Sequence, residues 1–158
     1  MPSKSAAVEK TSTDDNLDVT QLTALLGFHI RLAQTAMYRD FAATMGELDL
    51  TQKLAAVLML LKVNPGVSQI ALANTLGVDR ATMMALIDRL QDRELLYRER
   101  SKVDRRRQEL YLTDKGRAML TQVTRLIARH EARFKARFTP AEFKTLIELL
   151  RRVHGDHA

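Results

Sequence analysis

Between Arg98 and Arg107 six of ten residues are basic and two are acidic, a density that no packed core accommodates. Arginine does no proton-transfer chemistry at neutral pH. What a run of guanidinium groups can do is displace condensed counterions from a row of phosphates. Arg98, Arg105, Arg106 and Arg107 are the cations expected to do so here, with Asp104 among them. The plainer reading is a solvated hairpin tip, which is what most exposed charge runs are. The residues in front of the run decide between the two.

Leu95–Arg100 and Gln108–Leu112 flank it as two short strands, the second alternating so that Leu110 and Leu112 share a face. Before the first strand come two short helices. In Ser68–Leu76, Ser68 serves as N-cap and Ile70, Ala73 and Leu76 recur at helical spacing, giving one apolar stripe. Gly77 follows, able to take the positive φ that ends one helix and turns the chain toward the next. Asp79 caps Arg80–Arg93, in which Met83, Ile87 and Leu90 should face inward. That leaves Arg80, Ala81, Met84, Ala85 and Asp88 on the outer face. Two helices joined by so short a turn form a helix-turn-helix, whose second helix lies in the major groove with its N-terminal residues at base edges. A cationic hairpin placed directly after it is a wing that runs along the DNA backbone.

The stretch Val67–Gly116 resembles the winged-helix core of the MarR-type transcription regulators. Asp104-Arg105-Arg106 is similar to that family's aspartate-x-arginine wing signature, and Leu112-Thr113-Asp114-Lys115-Gly116 to the segment leading from wing to long helix. The order of helices extends the resemblance over about residues 18–153. It implies that Arg106 reaches the minor groove or its phosphates while Asp104 holds wing arginines in place. Two departures stand out. Glu94 occupies the place after the recognition helix where the family usually has glycine, and Met84 and Ala85 replace residues that are polar or basic in several members. Arg80 and Thr82 are then the clearest polar readers of bases, Met84 is placed to touch a thymine methyl, and Ser68, Gln69 and Arg89 lie near phosphates. Arg106→Ala is expected to weaken operator binding and to reduce the salt dependence of log K by about one unit for each phosphate it no longer neutralises. An unchanged affinity and slope in a salt titration would remove Arg106 from the interface.

Composition narrows the alternatives. The 158 residues carry 25 Lys and Arg against 19 Asp and Glu, a net charge of +6, which favours a polyanionic partner. Five Phe, three Tyr and no Trp, spread along the chain, argue against an RNA-stacking surface. Cysteine is absent, which leaves no disulfide, thiol nucleophile, thiolate metal site or cysteine-oxidation trigger. No run approaches the roughly 18 apolar residues of a membrane span and no signal-type stretch opens the chain, so the expected compartment is the cytoplasm, with no membrane partner. Of the four histidines, His29 and His130 fall on apolar helix faces as packed structural residues. His154 and His157 lack partners beyond Asp156, so no metal site is expected. With no phosphate-cradling glycine loop and no nucleophile elbow, neither a catalytic residue nor a cofactor is expected, and the chain is not an enzyme.

Positioning the winged helix falls to the flanking segments. Residues 1–16 read as a disordered tail. Leu22, Leu25, Leu26, His29, Ala33, Met37 and Phe41 mark one face of a long helix over Asp18–Met45. Thr51 caps a helix carrying Leu54, Val57, Leu58 and Leu61 inward, broken at Asn64-Pro65-Gly66. A long helix after Thr113 carries Met119, Leu120, Val123, Leu126, Ile127, His130 and Phe134. Thr139-Pro140-Ala141-Glu142 then forms a capping box ahead of Phe143, Leu146, Ile147, Leu149, Leu150 and Val153. The expected organisation is mainly α. Residues 17–48 form an N-terminal dimerisation helix, 49–113 a winged helix-turn-helix with a small β-hairpin wing, and 114–158 C-terminal dimerisation helices. An intramolecular bundle would also bury these stripes, but a twofold homodimer matches a palindromic double-stranded operator read as two half-sites.

The resemblance further implies a small aromatic acid or aryl-CoA effector in a cleft between the dimerisation helices and the winged helix, releasing a repressor from its operator. His29, Arg31, Met37, Tyr38 and Phe41 offer apolar walls with polar and cationic groups for such a ligand. Met37 and Phe41 fit a dimer core equally well. The alternative function is a nonspecific DNA-architectural protein without an effector.

Overall fold

The computed structural model describes residues 17–103 and 107–155. Their order is α1 (Thr20–Thr23), α2 (Leu26–Met45), a 3-10 turn (Gly46–Leu48), α3 (Gln52–Val63), α4 (Gln69–Thr75), α5 (Arg80–Asp92), β1 (Leu96–Arg100), β2 (Gln108–Leu112), α6 (Asp114–Lys135) and α7 (Pro140–His154). The architecture is mainly α with one antiparallel hairpin, a winged helix-turn-helix with added helices. The chain divides into two compact units, residues up to Thr35 and residues from Ala36 onward, with the division inside α2. No single described helix is long and apolar enough to cross a membrane. Residues 1–16, where a tail is expected, and His157 lie outside the described residues.

Local chemistry sets the helix starts. The side-chain oxygens of Thr51, Ser68, Asp79, Thr113 and Thr139 each accept a backbone N–H three residues on, from Leu54, Ala71, Thr82, Gly116 and Glu142. Each such cap stabilises its helix by about 1 kcal/mol. At Thr139 the box is complete, since the Glu142 carboxylate accepts the Thr139 backbone N–H at 2.8 Å. The turn between α4 and α5 is made at Gly77, with φ of 60°. Glu94, standing where glycine would be easy, also takes a left-handed φ of 59°. That conformation costs a non-glycine residue about 1–2 kcal/mol. Offsetting bonds surround it: the Thr113 hydroxyl donates to the Glu94 carbonyl at 2.6 Å, and Lys115 pairs with its carboxylate at 2.9 Å.

The core lies in the second unit. Leu54, Val57, Leu58 and Leu61 of α3 pack with Leu72 and Ala73 of α4, Met83, Ile87 and Leu90 of α5, the hairpin's Leu96, Leu110 and Leu112, and Leu120 and Val123 of α6. Strand register is Leu96↔Leu112 through Arg100↔Gln108, and Val67 adds a bridge to Leu110 on the other edge of β2. That bridge, closed by Leu110 N–H to Val67 O at 3.1 Å, ties the entry of α4 to the wing.

Two expectations need correction. Of the α4 stripe, Ala73 is buried and Leu76 packs half-buried against the core, but Ile70 is 52% exposed and Leu72 is buried in its place. Either residue completes a helical stripe, and the packing of α4 against α5 and β2 chooses between them. The single helix over Asp18–Met45 is interrupted at Ala24–Leu25. There the Thr23 hydroxyl donates back to the Thr20 carbonyl, and the His29 ring Nε2 engages the Thr23 carbonyl at 2.8 Å. Side-chain bonds of this kind compete with the helical ladder, and Gly27 adds a weak helix former just beyond. His29 is accordingly exposed rather than packed, whereas His130 is buried.

Candidate nucleic-acid interface

Helix α5 presents a two-sided surface. Met83, Ile87 and Leu90 are fully buried, while Arg80, Ala81, Met84, Ala85 and Asp88 are exposed on the opposite side. The polar groups near that outer face are partly committed. Asp79 accepts both the Thr82 backbone N–H at 2.8 Å and the Thr82 hydroxyl at 2.6 Å, and these bonds hold its carboxyl below the usual carboxylate range. Asp88 pairs with Arg98, whose other guanidinium nitrogen donates to Gln91 Oε1 at 2.7 Å. Arg98 thus spans from the hairpin to α5, with 22% of its side chain exposed. Among the described residues Arg80 has no hydrogen-bond or ion-pair partner.

Arg89 and Arg93, at the C-terminal end of α5, face the connection between α2 and α3. Arg89 donates to both carboxylate oxygens of Asp49 at 2.9 and 2.8 Å, which lowers the Asp49 carboxyl below its ordinary range. Arg93 donates to the carbonyls of Asp49 and Leu48, both at 2.9 Å. Both ends of the Arg89 pair are well exposed, so water screens the attraction and the pair adds little to stability. Ser68 is half-buried with its oxygen engaged as the α4 cap, and Gln69 opens that helix, also half-buried. Arg107 is exposed where the wing returns, its carbonyl accepting Ser101 N–H at 2.9 Å. Asp104, Arg105 and Arg106 lie outside the described residues.

The same connection forms one wall of a cleft of about 180 Å³, lined by Tyr38, Phe41, Ala42 and Met45 of α2 and by Gly46, Asp49, Leu50 and Thr51. Of the five residues expected to meet a ligand, Tyr38 and Phe41 line this cleft, and Met37, half-buried, precedes them. His29 and Arg31 belong to the other unit, where the Arg31 guanidinium lies 5.5 Å from the Phe28 ring centre.

One cluster could not be read from spacing. Asp40 of α2 receives the buried His130 of α6 at 2.5 Å and Arg133 at 2.8 and 2.6 Å, while Arg133 also reaches the Thr44 hydroxyl. Phe41 and Phe134 meet the His130 ring edge-on. Arg133 first, and His130 second, lower the Asp40 carboxyl from 3.8 to about 2. A carboxyl whose pKa is lower folded than unfolded stabilises the fold above its unfolded value and loses that contribution as pH falls through the folded one. Asp40→Asn is therefore expected to melt below the parent at pH 7. The gap should close as the pH falls from 3.8 toward 2. Thermal melts across that range check this; a gap independent of pH would mean the ion pair contributes nothing. Among the described residues, no three His, Asp or Glu side chains gather as a metal site.

Residues 48–107 match the model of the MarR family. A Thauera aromatica protein described as a transcriptional regulatory protein for the hcr operon is 38% identical over 130 residues, covering 82% of this chain and 78% of its own length. Among solved structures, the transcriptional repressor CouR bound to a 23-mer DNA duplex aligns with TM-score 0.84 at 37% identity, covering 88% of this chain and 99% of that one. CouR bound to p-coumaroyl-CoA aligns at 0.81 and 35%, covering 89% and 99%. The PcaV regulator of Streptomyces coelicolor, in complex with its natural ligand, aligns at 0.79 and 32%, covering 87% and 96%. These relatives are transcription regulators, not enzymes.

Proposed function

This chain belongs to the MarR family, and from that premise we propose that it is a homodimeric, sequence-specific repressor, released from a palindromic operator by a small aromatic acid or an aryl-CoA thioester. The observation that carries the reading is α5: a helix sealed into the core on one side and free on the other, followed at once by a cationic wing. At its N-terminal end stands Arg80, without a partner among the described residues. Residues 49–113 are the DNA-binding region. Arg80 reads bases. Thr82, its hydroxyl proton given to Asp79, offers only lone pairs and its methyl. Arg105, Arg106 and Arg107 follow phosphates, with Arg89 joining them by exchange from Asp49.

Residues 17–48 and 114–158 carry the dimer. Helix α7 has no buried residue, and Leu149, Leu150 and Val153 are exposed along it. An apolar stripe of that length on a charged chain marks an association surface. A twofold partner sets two recognition helices about 34 Å apart, one turn of duplex.

The cleft at Tyr38 and Phe41 supports the ligand response. An apolar cavity of about 150 Å³ takes a benzene ring, so the space suits one aromatic group. Its Asp49 wall is the segment that Arg93 holds to α5 through the Asp49 and Leu48 carbonyls. A ligand that shifts this wall shifts the recognition helix with it, which is a differential contact between bound and free states. Binding of the full chain to duplex from its own upstream region should exceed binding to a random duplex of equal length by about 10³-fold or more at fixed salt. Equal binding to both would replace this reading with a nonspecific architectural protein.

A further inference from the structure

The outward face of α5 is unusual in what it leaves for the bases. Asp88 is neutralised by Arg98, the Thr82 hydroxyl donates to Asp79, and Arg89 turns away to Asp49. Between Arg80 and Asp88 the surface is then methyl and thioether: Ala81, Met84 and Ala85, all exposed, with half of Met84 open to solvent. In the major groove one base feature rewards an apolar surface, the C5-methyl of thymine. We propose that α5 reads its half-site through thymine methyls on two neighbouring base pairs, seated on Ala81, Met84 and Ala85, with Arg80 on an adjoining guanine. This rests on the sequence-specific DNA binding proposed above.

The dimensions agree. Ala81 to Ala85 covers about 6 Å along the helix, enough to span the single step of about 3.4 Å between two neighbouring base pairs. Arg80 sits one residue nearer the N-terminus, where a guanidinium can meet guanine O6 and N7 as a bidentate pair. A neutral apolar face also explains why Asp88 is tolerated there: its carboxylate is held by Arg98 rather than directed at phosphates.

The test starts from duplexes selected by the full chain out of a random library, so that no operator need be known. Thymines of the half-site are then replaced by deoxyuridine, which keeps every hydrogen bond and removes only the methyl. Affinity should fall by about fourfold per contacted methyl, and thymines outside the half-sites should be replaceable without effect. Met84→Ala, a surface change, should bring the thymine-to-uracil ratio at one base pair close to one. Selected half-sites without paired thymines, or identical affinity for both duplexes, would overturn the inference while leaving specific binding intact. A ratio unmoved by Met84→Ala would take the methyls away from this face and overturn it too. No preference for any selected duplex would overturn both the inference and the reading on which it rests.

Discussion

Gly116→Ala is expected to be the most damaging small substitution in the chain. A Cβ at Gly116 would stand 1.9 Å from the Leu95 carbonyl oxygen and 2.9 Å from its carbon, backbone that cannot step aside. The close approach exists because the Leu95 carbonyl also accepts the Thr113 N–H at 3.2 Å, drawing the first turn of α6 against the start of the hairpin. In a helix, alanine ordinarily stabilises by about 0.5–1 kcal/mol over glycine. Here the sign should reverse: overpacking costs about 1–3 kcal/mol and more where nothing yields. At about 2–4 °C per kcal/mol for a chain of this size, the melting temperature should fall by roughly 10 °C. Gly27, where an added Cβ meets nothing within 4 Å, supplies the contrast, and alanine there should be neutral or stabilising. Equal melting temperatures for the two variants would mean that α6 does not approach the hairpin this closely.

The second large effect concerns α7. Leu150→Glu combined with Val153→Glu places two carboxylates on side chains that are 37% and 51% exposed in the single chain. The isolated fold should barely register the change, whereas a dimer seam would bury unpaired charge at several kcal/mol. The expected result is a monomer by sedimentation, with unaltered helix content. Affinity for a full palindrome should drop by about 10²–10⁴-fold, the avidity that disappears when two half-sites are no longer joined. A dimer that survives would put the seam elsewhere, and a monomer that keeps full affinity would mean that operator binding does not need two joined half-site readers.

Helix starts were readable because an N-cap is a bond between residues three apart, and Thr51, Ser68, Asp79 and the Thr139–Glu142 box announce it in sequence. The outer face of α5 was readable because one helical period separates it from Met83, Ile87 and Leu90. Glu94 was visible as the place where glycine is missing, but its left-handed φ and the Thr113 bond that supports it were not. Pairs formed across the fold left no periodic trace. Asp40 meets His130 and Arg133 from ninety or more residues away, Arg89 meets Asp49 from forty, and no spacing rule links them. Ile70 and Leu72 show the limit of periodicity in a short helix, since seven residues support two stripes and only the neighbouring elements select one. The break after Thr23 had a different origin, local side-chain bonds outweighing a well-formed apolar pattern.

The coupling between cleft and recognition helix is the claim that joins these parts. Its most direct measurement is a titration of the preformed complex between the full chain and its preferred duplex, at fixed salt, with simple aromatic acids and their CoA thioesters. At least one compound should dissociate the complex, and Tyr38→Ala, which removes a half-exposed ring from the cleft, should raise the concentration required without altering the affinity for DNA. A complex that every compound leaves intact would contradict that coupling.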